Sequence, residues 1–277
     1  MTTDTAAPDR TGRSSVLPIV AALVTMVLWA SAFIVIRAVG EHYSPGALAL
    51  GRLVVGALAL GIIATRVRVR LPRGRPLAFV AAYGALWFGV YTMLVNAAEL
   101  HLDAGTTALL INVGPLLIAV FAGLFLGEGF PRSLICGLAV AFAGVAVISF
   151  ATSTGRYDAT GVLLALAAAG LYAVGVLLQK QALPYTDPFS ATFFGSVAGA
   201  VVCGPFGTSI VHDVGSAPLP ATLGVVYLGI FPTAIAFSTW AYALARTSAG
   251  KLSASSYLVP ALAVLMSWLA LAEVPTV

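Results

Sequence analysis

The chain has 277 residues, of which 60% are hydrophobic and only 9% are charged, whereas about a quarter of the residues in a soluble domain are charged. The mean hydropathy of +1.01 excludes an ordinary soluble domain. The net charge of +4 does not indicate nucleic-acid binding, because five of the fourteen basic residues fall in one short loop. The short alternating apolar runs of a membrane strand barrel are absent. The sequence therefore predicts an all-α protein that crosses a membrane several times.

Nine apolar segments are about as long as a membrane span, which needs roughly 20 residues at about 1.5 Å each. In chain order they are 17–37, 46–65, 77–98, 104–126, 134–150, 160–180, 188–210, 221–243 and 251–272. A polar tail, 1–16, precedes the first segment, and a linker loop, 151–159, joins the fifth to the sixth. No loop is long enough to hold a soluble domain.

The loop between the second and third segments contains Arg66, Arg68, Arg70, Arg73 and Arg75. Cytoplasmic loops of membrane proteins carry an excess of arginine and lysine. If the N-terminus is cytoplasmic, this loop and most other basic residues lie on the inner side. We therefore predict a multi-pass protein of the plasma membrane with its N-terminus in the cytoplasm.

The two halves of the sequence repeat each other. Shifts of 143 and 145 residues align Pro45, Val54, Gly56, Pro115, Leu124 and Glu128 with Pro188, Val197, Gly199, Pro260, Leu269 and Glu273. The first unit, 17–150, has five segments, and this odd number requires the second unit, 160–277, to enter the membrane from the opposite side. Such inverted repeats are typical of transporters. Arg37 and Lys180, at matching positions, are therefore expected on opposite faces of the membrane.

Polar residues near mid-segment prolines predict a path for a solute. Asn112 and Tyr257 occupy equivalent positions, three residues before Pro115 and Pro260. A proline within a span removes a backbone donor and frees a carbonyl group, which a cavity or a neighbouring helix must satisfy. The alternative is that both side chains form hydrogen bonds between packed helices.

Aromatic and amide side chains extend this candidate cavity. Trp29 and Tyr172 form a second symmetric pair, too deep in their segments for an interfacial belt, so they either stack on a substrate or pack in the core. Tyr91 and Trp240 belong to aromatic stripes at helical spacing, which are also typical of helix packing. Asn96 has fewer structural explanations, because an amide in lipid is costly.

Charged residues give three further hypotheses. Arg52 lies within a span, where it either binds a substrate carboxylate or has a structural role against a buried carbonyl group. Glu99, His101 and Asp103 cluster in one loop and form either a proton relay or a solvated surface. Glu128 marks a helix end, so no carboxylate is placed near the membrane centre. This favours facilitated diffusion or a proton route that the sequence does not reveal.

Together these motifs resemble the EamA family of the drug/metabolite transporter superfamily. In the first half the matching residues are Trp29-Ala30-Ser31-Ala32-Phe33, Arg52-Leu53, Gly105-Thr106-Thr107-Ala108-Leu109-Leu110, Pro115 and Leu126-Gly127-Glu128. In the second half they are Leu171-Tyr172-Ala173, Gly250-Lys251, Pro260 and Leu271-Ala272-Glu273. The resemblance implies two inverted five-helix repeats around a central cavity, and export of small metabolites such as amino acids by alternating access. The tenth span is missing here, either because the sequence is shortened at its C-terminus or because a natural nine-span variant exists.

Two other functions are compatible with the composition: a membrane-integral enzyme acting on lipid-like substrates, and a scaffold that transports nothing. The sequence contains no Walker A, HExxH or GxSxG motif, so we expect no enzyme and no bound cofactor. The scattered histidines and the two cysteines do not predict a metal site. The expected partners are a small-molecule substrate and the bilayer, with no nucleic acid, and a homodimer remains an open alternative.

Overall fold

The computed structural model describes residues 16–102, 104–152 and 158–271, and the regular structure of these residues is entirely helical. The helices are α1 (Val16–Val39), α2 (Pro45–Ala64), α3 (Arg75–Ala98), α4 (Ala104–Ile111), α5 (Gly114–Phe125), α6 (Arg132–Thr152), α7 (Ala159–Ala182), α8 (Pro188–Val202), α9 (Gly207–Ser216), α10 (Leu219–Leu244), α11 (Ala249–Ser255) and α12 (Leu258–Leu271). Asp103, Glu273 and nearly all of the predicted polar tail lie outside the described residues.

Five helices of the described chain, α1, α2, α3, α7 and α10, are each long and apolar enough to cross a membrane without interruption. The α8 and α9 helices form a sixth candidate span with a bend of 59° between them. This bend follows from Pro205, which cannot continue an α-helix hydrogen-bond ladder. All nine predicted segments coincide with helices, but 188–210 is interrupted by this bend, and 104–126 and 251–272 are each divided in two.

These two divided segments break at the same relative position. Residues 112–113 separate α4 from α5, just before Pro115, and residues 256–257 separate α11 from α12, just before Pro260. Proline lacks an N–H group and therefore fits the first turn of a new helix better than a helix interior. Both prolines thus lie at real interruptions of the backbone ladder.

Two further irregularities lie at matching positions, in α3 and α10. Residues Gly84–Tyr91 of α3 and Gly229–Ile235 of α10 are π-helical. The first of these segments packs on α8 and the second on α2. Glycines allow the close approach, since a Cβ atom at Gly56 of α2 would lie 3.0 Å from the carbonyl oxygen of Gly229. Gly84 is in still closer contact with the backbone of Gly195 in α8.

Helices from the two halves of the chain pack on each other. The α1 helix lies against α10 and α12, whereas α7 lies against α3, α4 and α5. The α2 helix packs on α8. An aromatic cluster fills the centre, with the rings of Trp87 and Trp240 6.0 Å apart and both almost fully buried. Each half therefore contributes one wall to the same interior.

Short polar contacts show which helix ends lie together. His101, just after α3, pairs with Asp158, just before α7, with 3.0 Å between Nδ1 and Oδ2. Arg37 at the end of α1 acts electrostatically on Glu99 at the end of α3. Lys180 is at the other end of α7 and contacts the end of α10. Arg37 and Lys180 therefore lie at opposite ends of the helix bundle.

Candidate substrate cavity

A cavity of about 110 Å³ lies where the walls from the two halves meet. Seven of the ten predicted site residues line it: Trp29, Arg52, Tyr91, Asn96, Asn112, Pro115 and Tyr172. The lining comes from the C-terminal halves of α1 and α3, the N-terminal half of α2, both helix breaks, and single aromatic residues of α7 and α10. The cavity therefore lies between the centre of the bundle and the end that carries Arg37.

The other three predicted residues do not line the cavity. Trp240 is completely buried, and its ring centroid lies 5.0 Å from that of Trp29, so it supports the cavity wall from behind. The hydroxyl group of Tyr257 donates a 2.9 Å hydrogen bond to the carbonyl oxygen of Asn112, which joins the two helix breaks. This is the helix-linking alternative considered for Tyr257. Pro260 is buried at the start of α12.

Several lining residues were not among the predicted site residues. Trp87 and Phe237 lie in the predicted aromatic stripes, and their rings make an edge-to-face contact with centroids 5.1 Å apart. Trp87 is four residues before Tyr91, so helical spacing indicated that both face the same side. Ser256 lies in the second helix break, directly before Tyr257. The sequence offered no comparable signal for Val259.

Arg52 is held at the cavity wall by the π-helical segment of α10. Its Nε atom donates a hydrogen bond of 3.1 Å to the hydroxyl oxygen of Thr233. That hydroxyl group in turn donates a hydrogen bond of 2.8 Å to the carbonyl oxygen of Leu228, five residues earlier. The Arg52 side chain is 8% exposed, and no carboxylate of the described residues forms a salt bridge with it. The structure thus places a buried cation in the cavity without a protein counter-ion in the described chain.

Asn96 presents an acceptor at the same cavity. Its Nδ2 atom donates to the carbonyl oxygen of Pro45 at 3.0 Å, which ties α3 to the start of α2. Its buried Oδ1 atom has no hydrogen-bond partner among the described residues. A buried acceptor without a partner costs about 1–3 kcal/mol, so a bound solute or water that donates to it is favoured.

Two polar side chains, Lys180 and Glu128, join helix ends at the opposite end of the bundle. Lys180 Nζ donates to the carbonyl oxygens of Leu244 at 2.7 Å and Thr247 at 2.6 Å. The Glu128 carboxylate accepts from the backbone N–H groups of Ala249, at 2.7 Å, and Gly250, at 3.0 Å. Both side chains bind backbone groups at helix ends, where unpaired carbonyl and N–H groups are available. Glu128 therefore joins the ends of α5 and α11.

The predicted loop cluster is divided in the structure. His101 pairs with Asp158 rather than with Glu99. Burial raises the pKa of Glu99 to about 7, although the positive charge of Arg37 opposes this rise. Glu99 is therefore not the fully solvated residue that one of the two hypotheses described. Across residues 16–102, 104–152 and 158–271, no group of three histidine, cysteine or acidic side chains is placed to hold a metal ion.

Membrane-length helices, paired helix breaks and a cavity shared by the two halves define a polytopic membrane protein with the architecture of a small-molecule carrier. The sequence matches the EamA-like transporter family over residues 16–150 and again over residues 159–277. The chain therefore belongs to the EamA-like transporter family.

Relatives of known name support the same class. A protein of Streptantibioticus cattleyicolor named "Probable terminal-alkyne amino-acid exporter" is 40% identical over 92% of this chain and 86% of its own length. "Uncharacterized transporter YdfC" of Bacillus subtilis is 33% identical over 90% of this chain and 81% of its own. A "Probable amino-acid metabolite efflux pump" of Salmonella typhimurium is 26% identical over 86% and 82%.

A solved crystal structure shares the fold. It superposes with a TM-score of 0.75 at 20% sequence identity and covers 94% of this chain and 90% of the other. At this identity the likeness concerns the architecture alone.

Proposed function

We propose that this protein exports small amino acids and related metabolites across the plasma membrane by alternating access through the cavity. The observation that carries the proposal is a largely apolar cavity, partly lined by aromatic rings, that holds a buried guanidinium and an amide oxygen without a hydrogen-bond partner among the described residues. An amino acid has a carboxylate, an ammonium group and a side chain, and each requires a different surface. Relatives named as exporters of amino-acid metabolites support the same substrate class.

In the proposed complex, the guanidinium of Arg52 binds the substrate carboxylate, a pairing whose planar geometry favours two parallel hydrogen bonds. The Oδ1 atom of Asn96 accepts a hydrogen bond from the ammonium group. Trp29, Trp87 and Phe237 receive an apolar side chain. A small apolar amino acid fits this arrangement better than a charged one, because no second charge lines the cavity among the described residues.

Alternating access requires one end of the cavity to be closed while the other end is accessible. Lys180 and Glu128 close the end opposite the cavity. With a cytoplasmic N-terminus, that closed end faces the cytoplasm and the cavity lies in the outer half. The paired helix breaks and the paired π-helical segments support a pair of inverted repeats. If the two repeats exchanged their conformations, the end that is now closed would open and the outer end would close.

The test is counterflow in proteoliposomes loaded with unlabelled L-leucine, with uptake of tritiated L-leucine as the readout. Propargylglycine, a small terminal-alkyne amino acid, is a second internal substrate. We expect transient accumulation of label for the wild-type protein. Because a hydrogen bond to a charged group contributes about 1.5–3 kcal/mol, Arg52→Gln should lower the exchange rate about tenfold or more.

Asn96→Leu should also lower exchange, since it removes the acceptor for the ammonium group. The matched control is Gln179→Met, which removes another fully buried amide, in α7, that does not line the cavity. Normal exchange in both cavity variants, at equal amounts of folded protein, would remove Arg52 and Asn96 from the substrate site. Absence of exchange of either amino acid by the wild-type protein would contradict the proposed substrate class.

A further inference from the structure

The loop between α2 and α3 concentrates positive charge that the cavity does not use. Four arginines lie within eight residues, and a fifth begins α3: Arg66, Arg68, Arg70, Arg73 and Arg75. All five are exposed, and none forms a salt bridge within the described part of the chain. Such a density of like charge without protein counter-ions indicates an anionic partner.

The position of the loop identifies where that partner lies. Residues 65–74 connect two membrane-length helices, so this short segment stays close to the lipid headgroups. Exposed apolar side chains alternate with the arginines, since Val67 is 46% and Leu71 is 54% exposed. Apolar side chains between cations fit the boundary between headgroups and acyl chains better than they fit bulk water.

The loop is also fixed to the protein at its far end. Pro72 is buried, which anchors the segment against the helices. Gly74 has a φ of +66°, which favours glycine and directs the chain into α3. The Arg75 guanidinium lies 5.4 Å from the ring centre of Phe79 in the first turns of α3. The arginines are therefore presented by an anchored surface, not by a long free tail.

We propose that residues 66–75 bind the phosphate groups of anionic phospholipids in the cytoplasmic leaflet. Arginine suits this role because its planar guanidinium can form two parallel hydrogen bonds to a phosphate. Clusters of four to eight basic residues next to a membrane helix are attracted to anionic lipids. The inference uses the predicted cytoplasmic N-terminus, which places this loop on the inner side, and it is independent of the transported substrate.

The experiment uses the full-length protein in a neutral maltoside detergent. Its thermal unfolding temperature is measured while dioleoylphosphatidylglycerol or dioleoylphosphatidylcholine is titrated into the micelles. A ligand that binds the folded state raises the unfolding temperature in a concentration-dependent way. We expect a rise with phosphatidylglycerol that phosphatidylcholine does not reproduce and that high salt reduces.

The triple variant Arg66→Gln, Arg68→Gln, Arg70→Gln should need about a hundredfold more phosphatidylglycerol for the same rise. The corresponding triple Arg→Lys variant keeps the charge and should retain most of the effect. The matched control neutralises three other basic residues of the helix ends, Arg132, Arg246 and Lys251. If the triple glutamine variant does not fold, Arg68→Gln alone should show about a fivefold change in the same titration.

Two results would overturn the proposal. Equal stabilisation by phosphatidylcholine, or an equal loss in the control triple variant, would show that the loop has no preference for anionic lipid. An equal rise with inorganic phosphate or glycerophosphoglycerol, which lack acyl chains, would identify a soluble anion as the ligand instead.

Discussion

Lys180, at the end of the bundle opposite the cavity, gives the most direct test of the proposed alternating access. Its Nζ atom binds two carbonyl oxygens, those of Leu244 and Thr247, at 2.7 and 2.6 Å. Lys180→Met keeps most of the aliphatic stem and removes both charge-assisted hydrogen bonds. We expect the end of α7 to separate more easily from the end of α10, so that the cavity becomes accessible from that side.

The magnitude follows from the two bonds. A hydrogen bond to a charged group contributes about 1.5–3 kcal/mol, and the lower value suits a side chain that is only half buried. Two such bonds give roughly 3 kcal/mol, and each 1.4 kcal/mol changes an equilibrium constant tenfold. If the bonds exist only while this end is closed, their loss should raise the ratio of open to closed forms about a hundredfold.

The assay measures access to the cavity from each side of the membrane. The native cysteines are removed by Cys136→Ser and Cys203→Ser, and Ser256→Cys places a thiol at the cavity. A membrane-impermeant maleimide is then added to one side of the membrane or to the other. Lys180→Met should greatly increase labelling from the side that carries residue 180.

Lys251→Met is the matched control, because Lys251 is an exposed lysine at the same end of the bundle. It should leave the labelling from both sides unchanged. The reasoning is refuted if Lys180→Met folds with normal thermal stability but its labelling stays the same as that of the parent. The contacts of Lys180 would then not hold this end of the cavity closed.

Three further predictions concern stability and are checked by thermal unfolding in detergent. Gly84→Ala places a methyl group against the backbone of α8 and should lower the free energy of unfolding by about 1–3 kcal/mol. Gly170→Ala, at a helical glycine with open space around it, should leave that free energy unchanged or raise it by up to about 1 kcal/mol. Equal effects of both variants would contradict the packing argument. Burial raises the pKa of Glu99 to about 7, so the wild type should lose stability relative to Glu99→Gln as the pH rises through 7 and match it at pH 4; a constant difference would contradict this. The backbone N–H of Thr160 lowers the pKa of Asp158, so Asp158→Asn should be less stable than the wild type at pH 7, and this difference should shrink as the pH falls below about 4; a loss that persists at low pH would count against the carboxylate's role.

Much of the architecture could be predicted because lipid imposes a simple rule. A bilayer requires long apolar helices with satisfied backbone groups, so hydropathy alone indicated the helical segments. The internal repeat indicated equivalent positions, and the prolines at 115 and 260 indicated interrupted helices. These are local properties, since each depends on residue type and on spacing along the chain.

The lining of the cavity was only partly predictable. Aromatic stripes at helical spacing showed which side chains share a face, but not whether that face meets a cavity or another helix. Trp87 lines the cavity, whereas Trp240, from the equivalent type of stripe, packs behind Trp29. Tyr257 was predicted from symmetry with Asn112, yet the structure uses its hydroxyl group to bind the carbonyl oxygen of Asn112. These differences depend on how helices from the two halves meet.

The sequence by itself determined the class of protein, the positions of the helical segments, the breaks before Pro115 and Pro260, and the basic loop, because hydrophobicity, proline chemistry and charge act locally. Only the tertiary structure decided that Arg52 reaches the cavity beside Thr233, that Glu128 joins the ends of α5 and α11, and that Lys180 joins the end of α7 to the end of α10. Each of these contacts joins residues that are more than 60 positions apart in the chain. The packing of helices from the two halves brings them together, and no spacing along the sequence encodes that approach directly.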